Sequence, residues 1–422
     1  MKYKTLIRRN SFLLSLLCAV VWLTGCVQDE FNTALPTSVD ATRFALTVSD
    51  VNIPSVSSRT MSGTGTDNKE DEVKTVDILV FDNSKSPAVF LEWSQGKNIT
   101  QDLANNTSTV EFEVVLSPTL VSTRIVVVAN RQLNSIVSGF IKGTTTKAEV
   151  MAELTHSLTD KWPADGSTAD GYTPIPMYGE KVVAKLDHSS INPISGISMK
   201  RMLARIDVRN STSNFKVEEV YLANYNTKGY LAPLWDANGE LNTSTPDALN
   251  IPGDSGKKKE ESDALSYPVN GSKVYDGEIY TFEAAAAVDA GGVAEDNDVS
   301  RKEAVCLIVK GKIDNGPSTF YRIDFTQTGQ KGEQVGYLPL KRNHKYIISI
   351  TEALGAGNAS LGEALASYTV MSNLKFRVIH YDRDKVKDVV YNGQYMLGVG
   401  EPEIKVTQYQ NNSYAVDIFT DT

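Results

Sequence analysis

Cysteine and histidine are scarce in this chain: three and four among 422 residues. Cys18 lies within an N-terminal apolar run and Cys26 just past it, so Cys306 alone remains for the body of the chain. Neither a disulfide framework nor a thiolate metal cluster can be built from that. Set in Ala304-Val305-Cys306-Leu307-Ile308-Val309, the lone thiol reads as a small buried hydrophobe. His156, His188, His344 and His380 are far apart and lack the i, i+4 spacing or flanking carboxylates of a ligand set, so each reads as a surface or capping residue. Positive charge is also short. Lys plus Arg number 42 against 51 Asp plus Glu, a net charge of −9, which argues against nucleic acid, whose phosphates call for a basic stripe. No Gly-x-Ser-x-Gly elbow, P-loop, Gly-x-Gly-x-x-Gly, His-Glu-x-x-His or Cys-x-x-Cys occurs. The acidic runs Asp67 to Glu72 and Asp382 to Asp388 contain basic residues and read as solvated charge. A hydrolase built from dispersed carboxylates needs only two of them, but nothing points to such a pair. No cofactor and no catalytic activity are expected.

What is present is a secretory head. Lys2, Lys4, Arg8 and Arg9 precede an apolar run from Ser11 to Leu23, too short for an ordinary membrane span. Leu23-Thr24-Gly25-Cys26 follows and resembles the bacterial lipobox, in which the cysteine thiol is lipidated before cleavage, so Cys26 is expected to become an acylated N-terminus. With the four basic residues of the head removed, the rest carries −13. Attachment to a membrane would therefore rest on acyl chains such as palmitate, at about 0.8 kcal/mol per buried CH₂, and not on charge.

The body has 41% hydrophobic and 22% charged residues, enough for real cores, and a length suited to two domains of roughly 150 to 200 residues. Val27 to Thr42 is a polar tether. Phe44, Leu46 and Val48 then alternate with Ala45 and Thr47 as a half-buried strand. Ser55 to Glu72, small and then charged, reads as an exposed linker containing Arg59. Further strand patterns cover Val73 to Asp82, Val110 to Leu116, Thr123 to Asn130, Met199 to Val208, Phe215 to Tyr221, Ile279 to Glu283, Ala304 to Ile313, Phe320 to Phe325 and Leu374 to Tyr381. Helical spacing is confined to about Thr146 to Leu158. Pro233 to Ser266 reads as a solvated insertion. The tail adds strand-like runs at Gln394 to Gly400, Ile404 to Tyr409 and Tyr414 to Phe419. An all-β chain is expected.

Four pieces of this pattern resemble the fimbrillins, the major fimbrial subunit family of Bacteroidia that builds lipoprotein-derived (type V) pili. They are Phe44 to Val48 with Arg59 and Lys74 to Phe81; Arg124 to Asn130; Arg201 to Val208; and Ala304 to Lys312 with Arg342-Asn343-His344-Lys345-Tyr346 opening an apolar strand. The resemblance spans nearly the whole chain. It implies two transthyretin-like β-sandwich domains with one or two short helices: a signal peptide over 1–25, a tether and removable first strand over 26–59, sandwiches over 60–195 and 196–422, and a donor-strand tail from about 390.

It also implies a mechanism. Lipoprotein export machinery carries the precursor to the outer membrane, lipidated at Cys26, and a trypsin-like, Arg-specific protease cuts between Arg59 and Thr60. The strand of Phe44, Leu46 and Val48 departs and leaves an adhesive sheet edge. The tail of another copy or a related pilus subunit fills it, with Tyr395, Leu397, Val399, Ile404, Val406, Val416 and Ile418 as candidate donor residues. Such a contact is heterologous and propagates into a fimbrium at the cell surface. Arg43, the alternative cut site, precedes the alternating residues. The tail runs on further past Arg342 to Tyr346 than in shorter family members, so a tip or anchor role stands beside the shaft role. The competing reading is an outer-membrane glycan-binding lipoprotein, with Trp93, Trp162 or Trp235 stacking on sugar rings.

Overall fold

The computed structural model describes residues 41–48, 68–101, 109–163, 173–187, 193–269, 274–287, 299–328, 334–367, 373–383, 388–391, 396–399 and 417–420. It is an all-β protein. The first nine strands are β1 (Ala41–Val48), β2 (Val76–Asp82), β3 (Val89–Gln95), β4 (Lys97–Gln101), β5 (Thr109–Val115), β6 (Thr123–Ala129), β7 (Thr155–Ser157), β8 (Met177–Val183) and β9 (Ile194–Arg201). Eight of them form one sheet in the order β3-β2-β6-β8-β9-β1-β5-β4.

This sheet closes on itself as a sandwich. Ile78, Val80, Ile125 and Val127 from β2 and β6 share one core with Val110, Phe112 and Val114 from β5 and with Ile197 and Met199 from β9. The fold-over lies at β8 and β9, which pair only through Met177 with Arg201 and Tyr178 with Lys200. Gly179 permits it, because a Cβ there would stand 2.7 Å from both the Ser198 carbonyl oxygen and the Met199 sulfur.

The patterns have physical causes. β5 alternates because only one of its faces is covered. β2 and β6 do not alternate, because Leu79, Phe81, Val126 and Val128 on their second face lie in another core, with Leu133, Met151 and Trp162. That second face is covered by helices α1 (Asn134–Val137) and α2 (Lys147–Glu153). In α2, Thr146 and Glu149 form a reciprocal capping box. The helix is shorter than the spacing predicts, since the chain passes directly into β7. Leu158 still packs on the same core.

The remaining strands are β10 (Ala204–Asn210), β11 (Phe215–Ala223), β12 (Lys228–Tyr230), β13 (Leu265–Pro268), β14 (Val274–Thr281), β15 (Cys306–Ile313), β16 (Thr319–Asp324), β17 (Thr326–Thr328), β18 (Gln334–Tyr337), β19 (His344–Ala353), β20 (Leu374–Asp382), β21 (Asp388–Tyr391), β22 (Met396–Val399) and β23 (Ile418–Thr420). The sheets β14-β10-β19-β20 and β13-β11-β15-β16 enclose a core that includes Ile206, Val208, Tyr346 and Ile348 on one side and Val220, Leu222, Leu307, Val309 and Tyr321 on the other. Short pairs join β7 with β12 and β17 with β18, and β21-β22-β23 is a separate sheet. Two further short helices are α3 (Val299–Glu303) and α4 (Leu361–Ala366). Ala364 and Leu365 of α4 cover Cys306 and Ile308.

The insertion expected over Pro233 to Ser266 departs from its reading as solvated loop. Leu241 packs on the second core, and buried Asn250 donates from Nδ2 to the carbonyls of Ala232 and Pro233. Polar composition concealed local turns that satisfy their own backbone groups. Among the described residues no helix is long and apolar enough to cross a membrane.

Candidate functional site

The strand predicted from Phe44, Leu46 and Val48 sits inside the first sheet, between β9 and β5. It runs parallel to β9, with Phe44 opposite Ile194, Leu46 opposite Ile197, Thr47 opposite Ser198 and Val48 opposite Met199. Arg43 falls within this strand, not ahead of it. Both flanks of the slot are apolar: Ile197 and Met199 on β9, and Val110, Phe112 and Val114 on β5, are all buried. An interior strand satisfies ladders on two sides, so its loss leaves two rows of unpaired N–H and C=O groups beside that core. Cys26, Arg59 and Thr60 lie outside the described residues.

Three of the candidate donor residues come together at the other end of the chain. Leu397 and Val399 lie on β22, the middle strand of the last sheet, and Ile418 of β23 is registered opposite Val399. β21 flanks the other side, with Val390 opposite Leu397. Leu397 is 48% exposed and Ile418 67% exposed. In this arrangement β22 would have to part from β21 and β23 to enter another sheet. Tyr395, Ile404, Val406 and Val416 lie outside the described residues.

The acidic stretch before β2 corrects a reading. Glu70 and Asp71, expected in a solvated charge run, are buried in a 3-10 turn at Asn68–Asp71. Glu70 pairs with Arg205 of β10 at 2.6 Å and with Arg383, and accepts from the Tyr280 hydroxyl; Asp71 pairs with Arg201. Arg205 also pairs with Asp207 at 2.8 Å, and Lys345 Nζ lies 2.9 Å from Asp207 Oδ2. Asn343 bridges onward, accepting from Arg201 at 3.0 Å and donating to Asp382 at 3.3 Å. Burial alone would raise the Asp207 carboxyl, but Arg205 and Lys345 outweigh it and hold it well below the usual carboxylate range. Asp382 and Arg383, from the second acidic run, are buried with the rest. One trace was available in the sequence: Arg205 and Asp207 stand two apart, alternating with the apolar Ala204, Ile206 and Val208, which puts opposite charges on one face.

A second buried charge cluster holds α2 to the insertion. Lys147 Nζ is 2.8 Å from Glu180 and donates to the Gly239 carbonyl, while Arg124 pairs with both Glu180 and Glu240. Burial lowers the Lys147 ammonium pKa below its ordinary value.

His344 is buried, a correction to its surface reading, and its ring stacks with Tyr346 and His380 across β19 and β20. Burial pushes its imidazole below the ordinary range, and Nδ1 donates to the Arg342 carbonyl at 2.9 Å. The three tryptophans considered for sugar stacking are internally engaged. Trp162 is buried beside His156, Trp93 donates to Asp77 at 2.7 Å, and Trp235 packs edge-on against Tyr230. Among the described residues no group of three or more His, Cys, Asp or Glu side chains could hold a metal ion.

A family model described as fimbrillin-A associated anchor proteins Mfa1 and Mfa2 matches residues 37–290. Among solved structures, the tip fimbrial protein Mfa3 from Porphyromonas gingivalis with C-terminal truncation is similar at 14% identity and a TM-score of 0.48, covering 81% of this chain and 99% of its own. A protein described as a cell adhesion protein from Parabacteroides distasonis is 16% identical, with a TM-score of 0.46 and coverage of 81% and 96%. Another so described, from Bacteroides eggerthii, is 16% identical, with a TM-score of 0.44 and the same coverage. No curated protein matches the sequence.

Proposed function

Because the chain belongs to the family of fimbrillin-A associated anchor proteins Mfa1 and Mfa2, a fimbrial and adhesion-related family, we propose that it is a structural subunit of a lipoprotein-derived fimbria that assembles by donor-strand exchange. In this reading Cys26 carries the lipid that holds the precursor at the outer membrane. An Arg-specific protease cuts after Arg59, β1 leaves, and a strand from a neighbouring subunit takes its place. The two sandwich domains meet between β9 and β10, after Arg201 and not at the expected 195, because β9 pairs within the first sheet and β10 within the second; the donor lies in the tail beyond residue 390. The protein works by binding, with no catalytic step.

One observation carries the reading: β1 occupies an interior position between β9 and β5, and residues 49–75, which include Arg59, connect it to β2. A strand at that position is the one whose removal opens a slot bounded by apolar side chains. The engagement of Trp93, Trp162 and Trp235 within the fold weighs against a sugar-stacking platform.

The test is trypsin treatment of the chain lacking its lipid, followed by mass analysis, gel electrophoresis and electron microscopy. Release of the segment ending at Arg59, with laddered species or filaments, supports the proposal. A cut chain that stays monomeric at high concentration overturns it. Deleting residues 390–422 should leave a subunit that accepts a strand and cannot donate one. A second reading, an anchor subunit that keeps β1, is favoured by the description of the matched family. Under that reading the surface form retains Cys26 at its N-terminus, and N-terminal sequencing separates the two.

A further inference from the structure

We infer that residues 70–75 form a built-in stop for proteolytic trimming, which fixes where the processed subunit begins; this rests on the reading that the linker is cut after Arg59. Lys69 and Lys74 follow Arg59 as the next basic residues. The Lys74 side chain is 53% exposed, so accessibility alone would make it a cleavage point. A trypsin-like protease must also draw the main chain around the scissile bond into its own cleft, and a backbone already held resists that in proportion to the cost of opening it.

Here the main chain is held residue by residue, and by side chains. Arg201 Nε donates to the Glu70 carbonyl at 3.2 Å. The Gln101 amide brackets the next turn of chain, donating to the Asp71 carbonyl at 2.6 Å and accepting from the Val73 N–H at 2.9 Å. Asn130 forms a second bracket, with Nδ2 donating to the Glu72 carbonyl at 2.8 Å and Oδ1 accepting from the Lys74 N–H at 2.9 Å. The Asn130 N–H donates to the Thr75 carbonyl at 2.9 Å. Asn130 has φ 59°, a left-handed conformation that asparagine tolerates and that turns its amide back on this segment. Beneath the brackets, the buried carboxylates of Glu70 and Asp71 are tied to Arg205, Arg383 and Arg201.

None of these partners belongs to β1. Gln101 ends β4, Asn130 follows β6 and Arg201 ends β9. Departure of β1 therefore leaves every bracket in place, whereas threading Lys74 into a protease means breaking them and stranding two buried carboxylates, at several kcal/mol. The bonds on either side of the stop differ accordingly. Linker cleavage ends the first strand's attachment, and trimming halts before β2 is reached.

The experiment uses the chain lacking residues 1–26, digested in parallel with trypsin and with a Lys-specific endoprotease that ignores Arg59. The expected tryptic core begins at Thr60, and the Lys74-Thr75 bond is hydrolysed about 100-fold more slowly by the Lys-specific enzyme than in the denatured chain. Gln101→Ala, and Asn130→Gly, which keeps the positive φ, should move the N-terminus to Thr75 while a cooperative melt shows each variant still folded. A wild-type core beginning at Thr75 within the time of linker cleavage overturns the inference, as does unchanged resistance in both folded variants. A tryptic product uncut after Arg59 overturns the processing reading instead, because resistance at Lys74 is read separately with the Lys-specific enzyme.

Discussion

Lys345 and Asp207 meet 2.9 Å apart on the parallel strands β19 and β10, both buried. Arg205 shares the same carboxylate, and the folded pKa of Asp207 lies well below its unfolded value of 3.8. A depressed carboxyl stabilises the folded state fully above the unfolded pKa, and that stabilisation drains away as pH falls through and below it. The melting temperature should hold steady above about pH 5 and fall progressively below pH 4. Asp207→Asn should flatten this acid slope and cost about 3 to 5 kcal/mol at neutral pH, since it takes a shared carboxylate charge from two buried cations, of which Arg205 keeps Glu70. Denaturant melts at pH 3 and pH 7 check both; an acid slope unchanged in the variant would assign it elsewhere.

Cys306 is fully buried under Ala364 and Leu365, and burial raises its thiol to about 11. In the chain lacking residues 1–26, an aromatic disulfide reagent at pH 8 should leave the native protein unlabelled and label one thiol in guanidinium. Fast native labelling would mean that α4 opens readily from β15.

Gly239 has φ +80°, and a Cβ there would stand 2.7 Å from the Ala148 backbone nitrogen. Its carbonyl is the acceptor for buried Lys147. Gly239→Ala should therefore destabilise the fold by about 1 to 3 kcal/mol, from strain and the weakened lysine contact together. A neutral melt would show that the insertion yields around the new methyl group.

A peptide spanning residues 41–48 should raise the melting temperature of trypsin-cut subunit in a concentration-dependent way, because it binds the folded state and not the unfolded chain. A scrambled peptide of the same composition should not. Equal effects from both would remove the slot's register as the basis of recognition.

Much of the fold could be read from residue order. Period-two alternation and β-branched runs found β5 over Thr109–Val115, β6 over Thr123–Ala129, β15 over Cys306–Ile313 and β20 over Leu374–Asp382, because packing on a pleated surface demands those patterns. Strands such as β4, Lys-Asn-Ile-Thr-Gln, and β12, Lys-Gly-Tyr, carry no such pattern, since neighbours supply their pairing. The buried acids were misread for a related reason. A carboxylate in a charged run looks the same whether water or an arginine 135 positions away satisfies it, and the Glu70–Arg205 pair is of the second kind. The proximity of His344 and His380 likewise depends on the β19–β20 register, with Tyr346 opposite His380.

The parallel pairing of β1 with β9 has a mechanical side. Tension drawn along β1 from the residues that precede it loads the rungs between Phe44 and Val48 together, in shear, and does not peel them one at a time. A ladder stressed lengthwise yields only when its rungs fail nearly at once, so a pull at the leading end is an inefficient way to extract this strand. Cutting the covalent connection at its trailing end opens a different route, in which the strand unzips from Val48 backwards without any load on the rest of the molecule.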